Sequence, residues 1–310
     1  SPSTTVDMDG NSGSDTAGYI KFIGCSTNSG DGSPDGTMYV LDGASSSLDP
    51  IFNPVADYIW MENFRFTNAS GDGVAPSSGA DYWIWINCEF NNNGDDGISG
   101  DGYGNRWEFY VCRFHGNSGD GYYKPGIWHP VLCSFYNNGS RGLYSSYQGN
   151  DGVVRRCMFY DNGDSDSNIR VDCRLHFDSC VFDGTGQTSE IGVRFGSGHA
   201  SAIGCRITNC TTGVYATSRA ALLGWCLFDG NTDNTTQDAY LYHLPFETSL
   251  DDSGRKDTFS QGNPSGSTNK FDPDTGGDGY NDPSNDDYNL KTGFTYNGDG
   301  NDTVGLGVGS

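Results

Sequence analysis

Three aspartates, Asp72, Asp96 and Asp120, recur at 24-residue intervals, and each stands directly before a glycine. If equal spacing stacks them, three carboxylates face one another and repel unless a cation or a proton lies between them. Asp95 adjoins the set, Arg141 holds the equivalent position one repeat later, and Lys124 follows Asp120 by four residues. Such a cluster has the oxygen chemistry to hold calcium. Lys124 or Arg141 beside it could withdraw a proton from a bound substrate, with Asp96 the third candidate for the chemistry. The competing reading is structural: Asp before Gly caps and solvates a turn, and Arg141 is its counter-charge.

The elements that would position these groups are legible in seven cysteines, Cys88, Cys112, Cys133, Cys157, Cys180, Cys205 and Cys226, spaced by 24, 21, 24, 23, 25 and 21 residues. Two residues after each comes a large apolar side chain, Phe90, Phe114, Phe135, Phe159, Phe182, Ile207 and Phe228, and Phe64 with Phe66 fills both slots one repeat earlier. Positions five and three before each cysteine are mostly apolar, as in Trp83 and Trp85, Trp107 and Phe109. Apolar residues at −5, −3, 0 and +2 describe two period-2 strands separated by a one-residue slip, which is a corner. Asn93, Asn117, Asn138, Asn162 and Asn231 stand five after their cysteines, where Asn tolerates left-handed angles and can pair with its copy in the next coil. A further strand starts at Gly73-Val74, Gly97-Ile98, Gly121-Tyr122, Gly142-Leu143 and Gly213-Val214. A fixed period of this size marks a solenoid.

Cys-x-Phe-x-x-Asn followed by a Gly-hydrophobic pair resembles the right-handed parallel β-helix repeat family, over roughly residues 15–245. The resemblance implies an all-β fold, a right-handed parallel β-helix of about nine to ten coils, spanning residues 1–245, with an irregular acidic tail and cap over 246–310. Polysaccharide lyases, polygalacturonase-like hydrolases, epimerases, phage tail spikes and surface adhesins share that fold, so it weights function toward carbohydrate without fixing it. The aspartate cluster with Lys124 and Arg141 looks like the calcium-plus-basic-residue sites of some lyases on this fold. Gly94-Asp95-Asp96-Gly97, Gly198-His199 and Arg206-Ile207 follow the order of polygalacturonase signatures. His199, however, falls four coils beyond Asp96, roughly 20 Å along the axis at about 4.8 Å per coil.

Composition narrows the partners. The 310 residues carry 17 Lys and Arg against 40 Asp and Glu, a net charge of −23, with mean hydropathy −0.57. Nucleic acid and anionic membranes would be repelled, and no run of 18 apolar residues offers a membrane span. Ten cysteines leave disulfides and buried free thiols both open, with Cys210 the best candidate to pair. No CxxC pair suggests a metal site. The chain opens at Ser-Pro-Ser-Thr-Thr close to a strand-like segment, which reads as a processed end or a fragment with an uncapped first coil.

Tyrosines complete the candidate set. Tyr123, Tyr144 and Tyr215 stand one residue beyond the buried position of the third strand, facing outward, with Tyr103 and Tyr147 in the loops that follow. An outward aromatic strip beside Asp and Asn suits a glycan. Trp83, Trp107 and Trp128 share an inward slot and belong to the core. In the tail, Asp274, Asp278 and Asp282 resemble the calcium loops of thrombospondin type 3 repeats, although Gly276 replaces one liganding Asp. His115, His129, His176 and His243 show no ligand spacing. Two functions remain. One is an extracellular, cell-surface or virion-borne structural or adhesive β-helix (a tail-spike, surface-fibre or filament subunit) binding polysaccharide, cell-surface glycan or neighbouring subunits. The other is a lyase or related enzyme acting on acidic polysaccharide with calcium.

Overall fold

The computed structural model describes residues 13–14, 16, 18–25, 38–44, 47–76, 80–100, 106–123, 126–145, 151–163, 167–172, 174–185, 191–196, 200–216, 221–224, 226–229 and 231–235, with short strands at Val6–Asp7, Leu250–Asp251, Tyr280–Asp282 and Asp287–Leu290. Among these residues there is no helix, and the strands form three long parallel sheets. The first has nine strands, from Ile20–Ile23 to Ala221–Gly224; the second has ten, from Tyr39–Asp42 to Leu250–Asp251; the third has seven, from Ile98–Ser99 to Asp233–Thr235. Within these three sheets every strand pairs in parallel with its counterpart one repeat away, so this part of the chain is a parallel β-helix; Tyr280–Asp282 and Asp287–Leu290 form a separate antiparallel pair. Seven strands in the third sheet enclose six full turns, fewer than the nine to ten coils expected. Toward the N-terminus the third strand shrinks to the isolated bridges Phe52↔Val74 and Val74↔Ile98.

The register places identical slots over one another: Trp83↔Trp107↔Trp128 in the first sheet, and Phe66↔Phe90↔Phe114↔Phe135↔Phe159↔Phe182 in the second. These rings and the seven cysteines are buried and fill the interior. Stacked phenylalanines lie 4.5–5.4 Å apart with nearly parallel rings, the spacing that coil stacking dictates. All described cysteines are free thiols, Cys210 included. Cys112 N–H donates to Cys133 Sγ at 3.4 Å, and Cys133 N–H to Cys157 Sγ at 3.4 Å. The sulfurs therefore satisfy corner amides, which bridged cysteines would not do as well.

The one-residue slip is a left-handed residue just before the cysteine slot, described in seven coils: Asn63, Asn87, Val111, Leu132, Arg156, Ser179 and Gly204 have φ between 48° and 62°. A single left-handed residue turns the chain and resets which face points inward. A second left-handed position four residues beyond the slot (Asn68, Asn92, Gly116, Asn137, Asp161 and Asn209) turns the chain again. There the buried asparagine ladder begins. Asn93 Nδ2 donates to Asn117 Oδ1 (2.9 Å), Asn117 to Asn138 (2.9 Å), Asn138 to Asn162 (2.8 Å) and Asn162 to Asn168 (2.8 Å). Each Oδ1 of Asn117, Asn138 and Asn162 also accepts the backbone N–H of the asparagine one coil earlier. Cys210 occupies the ladder slot near the C-terminal end, its N–H donating to Asn231 Oδ1 at 2.8 Å.

Candidate functional site

The turn after the asparagine ladder delivers the aspartates to the edge of the third sheet. Asp96 N–H donates to Asp72 Oδ1 (3.0 Å), Asp120 N–H to Asp96 Oδ1 (2.7 Å) and Arg141 N–H to Asp120 Oδ1 (2.8 Å). Asp49 starts the series, accepting from Asp72 N–H at 2.9 Å. The stacking read from the spacing is thus present, and its local purpose is to cap the next coil's amide, which favours Asp at every turn. The glycine that follows is dictated by close approach. A Cβ on Gly121 would lie 2.6 Å from Gly142 O and 3.0 Å from Asn138 Nδ2.

Capping uses one oxygen of each carboxylate, and Asp72 also takes a side-chain hydrogen bond from Ser99. One oxygen from each of Asp72, Asp95 and Asp96 lies within 4.8 Å of the other two. Asp120 is not in that group; its Oδ2 lies 3.8 Å from Arg141 Nη1. Burial, with Asp120, Asp72 and Asp95 close by, pushes the Asp96 carboxyl up to about 8. Burial also raises Asp72 above the ordinary carboxylate range. These groups are short of positive charge, and their oxygens fit a hard cation that would relieve the repulsion.

Three residues beyond the aspartates runs an outward row on the third sheet. Its register is Ser99↔Tyr123↔Tyr144↔Arg170↔Arg194↔Tyr215. Tyr123, Tyr144 and Tyr215 share the row as the sequence suggests, but two arginines separate Tyr144 from Tyr215. Tyr123 and Tyr144 have ring centroids 5.4 Å apart. The guanidinium of Arg141 lies 4.8 Å from the centre of the Tyr144 ring and that of Arg170 5.1 Å, while Arg194 lies 5.2 Å from the Tyr215 ring. Arg170 Nε also meets Asp172 Oδ2 at 3.1 Å. The strip therefore changes character along the axis, acidic at Asp72, Asp95 and Asp96, then aromatic and cationic from Tyr123 to Tyr215.

Arg170 and Arg194 escape the sequence reading. Gly192-Val193 carries the same signal as the other third strands and could have pointed to Arg194. Arg170 follows Asn168-Ile169, where the glycine is replaced because Asn168 serves as the last rung of the asparagine ladder. Lys124, Tyr103, Tyr147, Asp274, Asp278 and His199 lie outside the described residues, and Asp282 falls in the strand Tyr280–Asp282, without a described side chain. No helix among the described residues is long and apolar enough to cross a membrane.

The second sheet holds a different cluster that the sequence did not single out. Glu89 is buried on the outward side, between Arg113 Nη2 (2.9 Å), Arg65 Nη2 (3.2 Å) and His115 Nε2 (3.1 Å). The His115 hydrogen bond, with Arg65 and Arg113, holds its carboxyl below the usual range.

The fold is similar to that of pectate lyase Pel9A, with TM-score 0.53 and 13% identity over 88% of this chain and 70% of that one. The catalytic domain of a GH87 alpha-1,3-glucanase matches with TM-score 0.26 and 10% identity over 79% of this chain and 60% of that one, too low to bear on the argument. At such identities the likeness is one of fold. No protein-family model matches the chain, and no curated protein matches it in sequence.

Proposed function

We propose that this chain is a carbohydrate-binding β-helix that takes an acidic polysaccharide along the outward row of its third sheet. The observation that carries the reading is the placement of Arg141, Arg170 and Arg194 on three successive coils among Tyr123, Tyr144 and Tyr215. Arg141 and Arg170 each meet an aspartate of the chain, yet the row still gathers three of only 17 basic residues beside outward tyrosine rings, a setting that suits an anion. Guanidinium groups pair with carboxylate or sulfate, and tyrosines beside them offer apolar ring edges and hydroxyls to the sugar. The fold shared with a pectate lyase supports the same class of ligand. Acidic polysaccharides of this kind belong to cell surfaces and their surroundings, which is where an adhesive, fibre or virion-borne protein would meet them.

Immobilised polygalacturonate and alginate test the proposal. The wild type should bind, and the Arg170→Ala/Arg194→Ala pair should lose about tenfold or more in affinity, by the roughly 1.5–3 kcal/mol of charged hydrogen bonds. Equal binding by both proteins would remove the assignment.

One observation favours a second reading, a lyase. The Asp72–Asp95–Asp96 group adjoins the row, and a calcium held there would bridge to a uronate carboxylate while Arg141 or Lys124 withdrew the proton beside it. Calcium-dependent growth of the unsaturated-product absorbance, abolished in Asp96→Ala, would establish it; a flat trace on both polymers would exclude it for them.

A further inference from the structure

The outward face of the first sheet carries a second cluster, different in kind from the third-sheet row. Its strands alternate strictly, so Trp60 and Glu62, Ile84 and Ile86, and Glu108 and Tyr110 point away from the core. Tyr58 and Tyr82, just before two of these strands, stack with ring centroids 4.5 Å apart and 7° between planes. Tyr19 meets Tyr58 edge-on at 5.9 Å, and the Arg106 guanidinium sits 5.4 Å from the Tyr82 ring. The ring of Trp60 lies under Lys21 Nζ at 4.2 Å. Two carboxylates are each anchored by an aromatic donor on their own strand. Trp60 Nε1 donates to Glu62 Oε2 (3.1 Å), and the Tyr110 hydroxyl donates to Glu108 Oε2 (2.7 Å).

The same face beyond the fourth coil is different. Its outward positions include Val153, Arg155, His176, Asp178, Ser201 and Ile203, with no Tyr, Phe or Trp among them. Core packing explains neither half, since these positions face solvent. Coil stacking does not explain the contrast either, because it applies equally along the rod.

We propose that Tyr58, Trp60, Tyr82 and Tyr110, with Glu62 and Glu108, form a binding site for a neutral oligosaccharide, separate from the acidic-polysaccharide row. Three features choose that occupant. The aromatic bodies supply the apolar surface that the C–H face of a sugar prefers. Each glutamate is fixed by one hydrogen bond, and a carboxylate has further lone pairs with which to accept from sugar hydroxyls. Lys21 and Arg106 at most offset Glu62 and Glu108, and Asp57 and Asp81 stand next to Tyr58 and Tyr82, so the patch has no surplus cation for a uronate or sulfate. An acidic polymer suits the arginine row; an uncharged one suits this face.

The test is calorimetric titration of the intact chain with a panel of neutral oligosaccharides, comprising β-linked glucans, xylans and α-glucans. The wild type is expected to bind at least one of them, and Trp60→Ala and Tyr82→Ala are each expected to weaken that binding tenfold or more. Glu108→Gln keeps the shape and removes the charge, so it serves if an alanine variant unfolds; its expected loss is about fivefold. The Arg170→Ala/Arg194→Ala protein should bind the neutral sugar as the wild type does, which separates this site from the proposed acidic-polysaccharide row. Failure of the wild type to bind any panel member, or unchanged affinity in all three first-sheet variants, would overturn the proposal. Loss of binding in the arginine pair would overturn its independence.

Discussion

Glu89 on the second sheet and Asp96 before the third are both carboxylates almost withdrawn from water, with relative exposures of 5% and 7%. Their ionisation moves in opposite directions. Glu89 is held low by His115, Arg65 and Arg113; Asp96 is pushed up to about 8 by burial among Asp120, Asp72 and Asp95. A solenoid makes this divergence easy, because each coil sets its neighbours directly above and below. In the second sheet the outward column reads Arg65↔Glu89↔Arg113, alternating sign, whereas the turn column repeats the same sign four times, from Asp49 to Asp120, before reaching Arg141. Alternation completes a cluster and leaves it inert. Repetition leaves a deficit of positive charge, and a ligand can supply it.

The largest effect that would break this contrast lies at Glu89. Glu89→Gln should destabilise the protein by about 2 kcal/mol at pH 7, below the 3–5 kcal/mol of a fully buried pair because the arginines are partly exposed and can rehydrate. A lowered folded value means this stability is present above the unfolded carboxylate range and is lost as pH falls through the folded value. Urea midpoints of the two proteins should therefore approach one another as pH falls below the unfolded carboxylate range.

Asp96→Asn should do the reverse. The amide oxygen still accepts from Asp120 N–H, while the charge is gone. Because the folded value is raised, Asp96 favours the native state most below the unfolded value, and that advantage is lost as pH rises to about 8. The variant should thus match the wild type near pH 4 and exceed it by about 1–2 kcal/mol at pH 8.5. A variant less stable than the wild type at pH 8.5 would mean that Asp96 is not held against its charge. Calcium sharpens the point: it should raise the wild-type melting temperature more at pH 8.5 than at pH 5.5, because the Asp96 proton must leave first. Asp96→Asn should lose most of that rise. Equal calcium shifts in the two proteins would exclude Asp96 as a ligand.

What the sequence revealed follows from the same one-dimensional geometry. The Cys, Phe and Asn ladders were readable because a slot repeated every 21 to 25 residues is a vertical column in space. Asp72, Asp96 and Asp120 were readable for the same reason, although sequence could not tell a capping oxygen from a free one. The coil count was overestimated because slots continue to repeat where the third strand has dwindled to single bridges. Arg170 was hidden where loops vary in length and Asn168 had replaced the marker glycine. Glu89 was hidden because outward positions look solvated in sequence, and only the coils on either side bury it.

The smallest effect concerns Arg141, where the repeated column ends. Its backbone N–H donates to Asp120 Oδ1 whatever its side chain, so Arg141→Gln keeps that bond and removes a long ion pair at 3.8 Å and the contact with Tyr144. Stability should fall by about 1 kcal/mol: the pair is largely buried, with side-chain exposures of 17% and 4%, but too long to be strong. Affinity for an acidic polymer should fall about threefold, since Arg170 and Arg194 remain. That modest pair of numbers makes Arg141 a good discriminator between the two functional readings. If the row only binds, nothing measured on this variant should change by more than that. If Arg141 withdraws the proton in a lyase, turnover on polygalacturonate or alginate should collapse by a hundredfold or more while affinity and melting temperature move little, which is the signature of a group needed in the transition state and not in the complex.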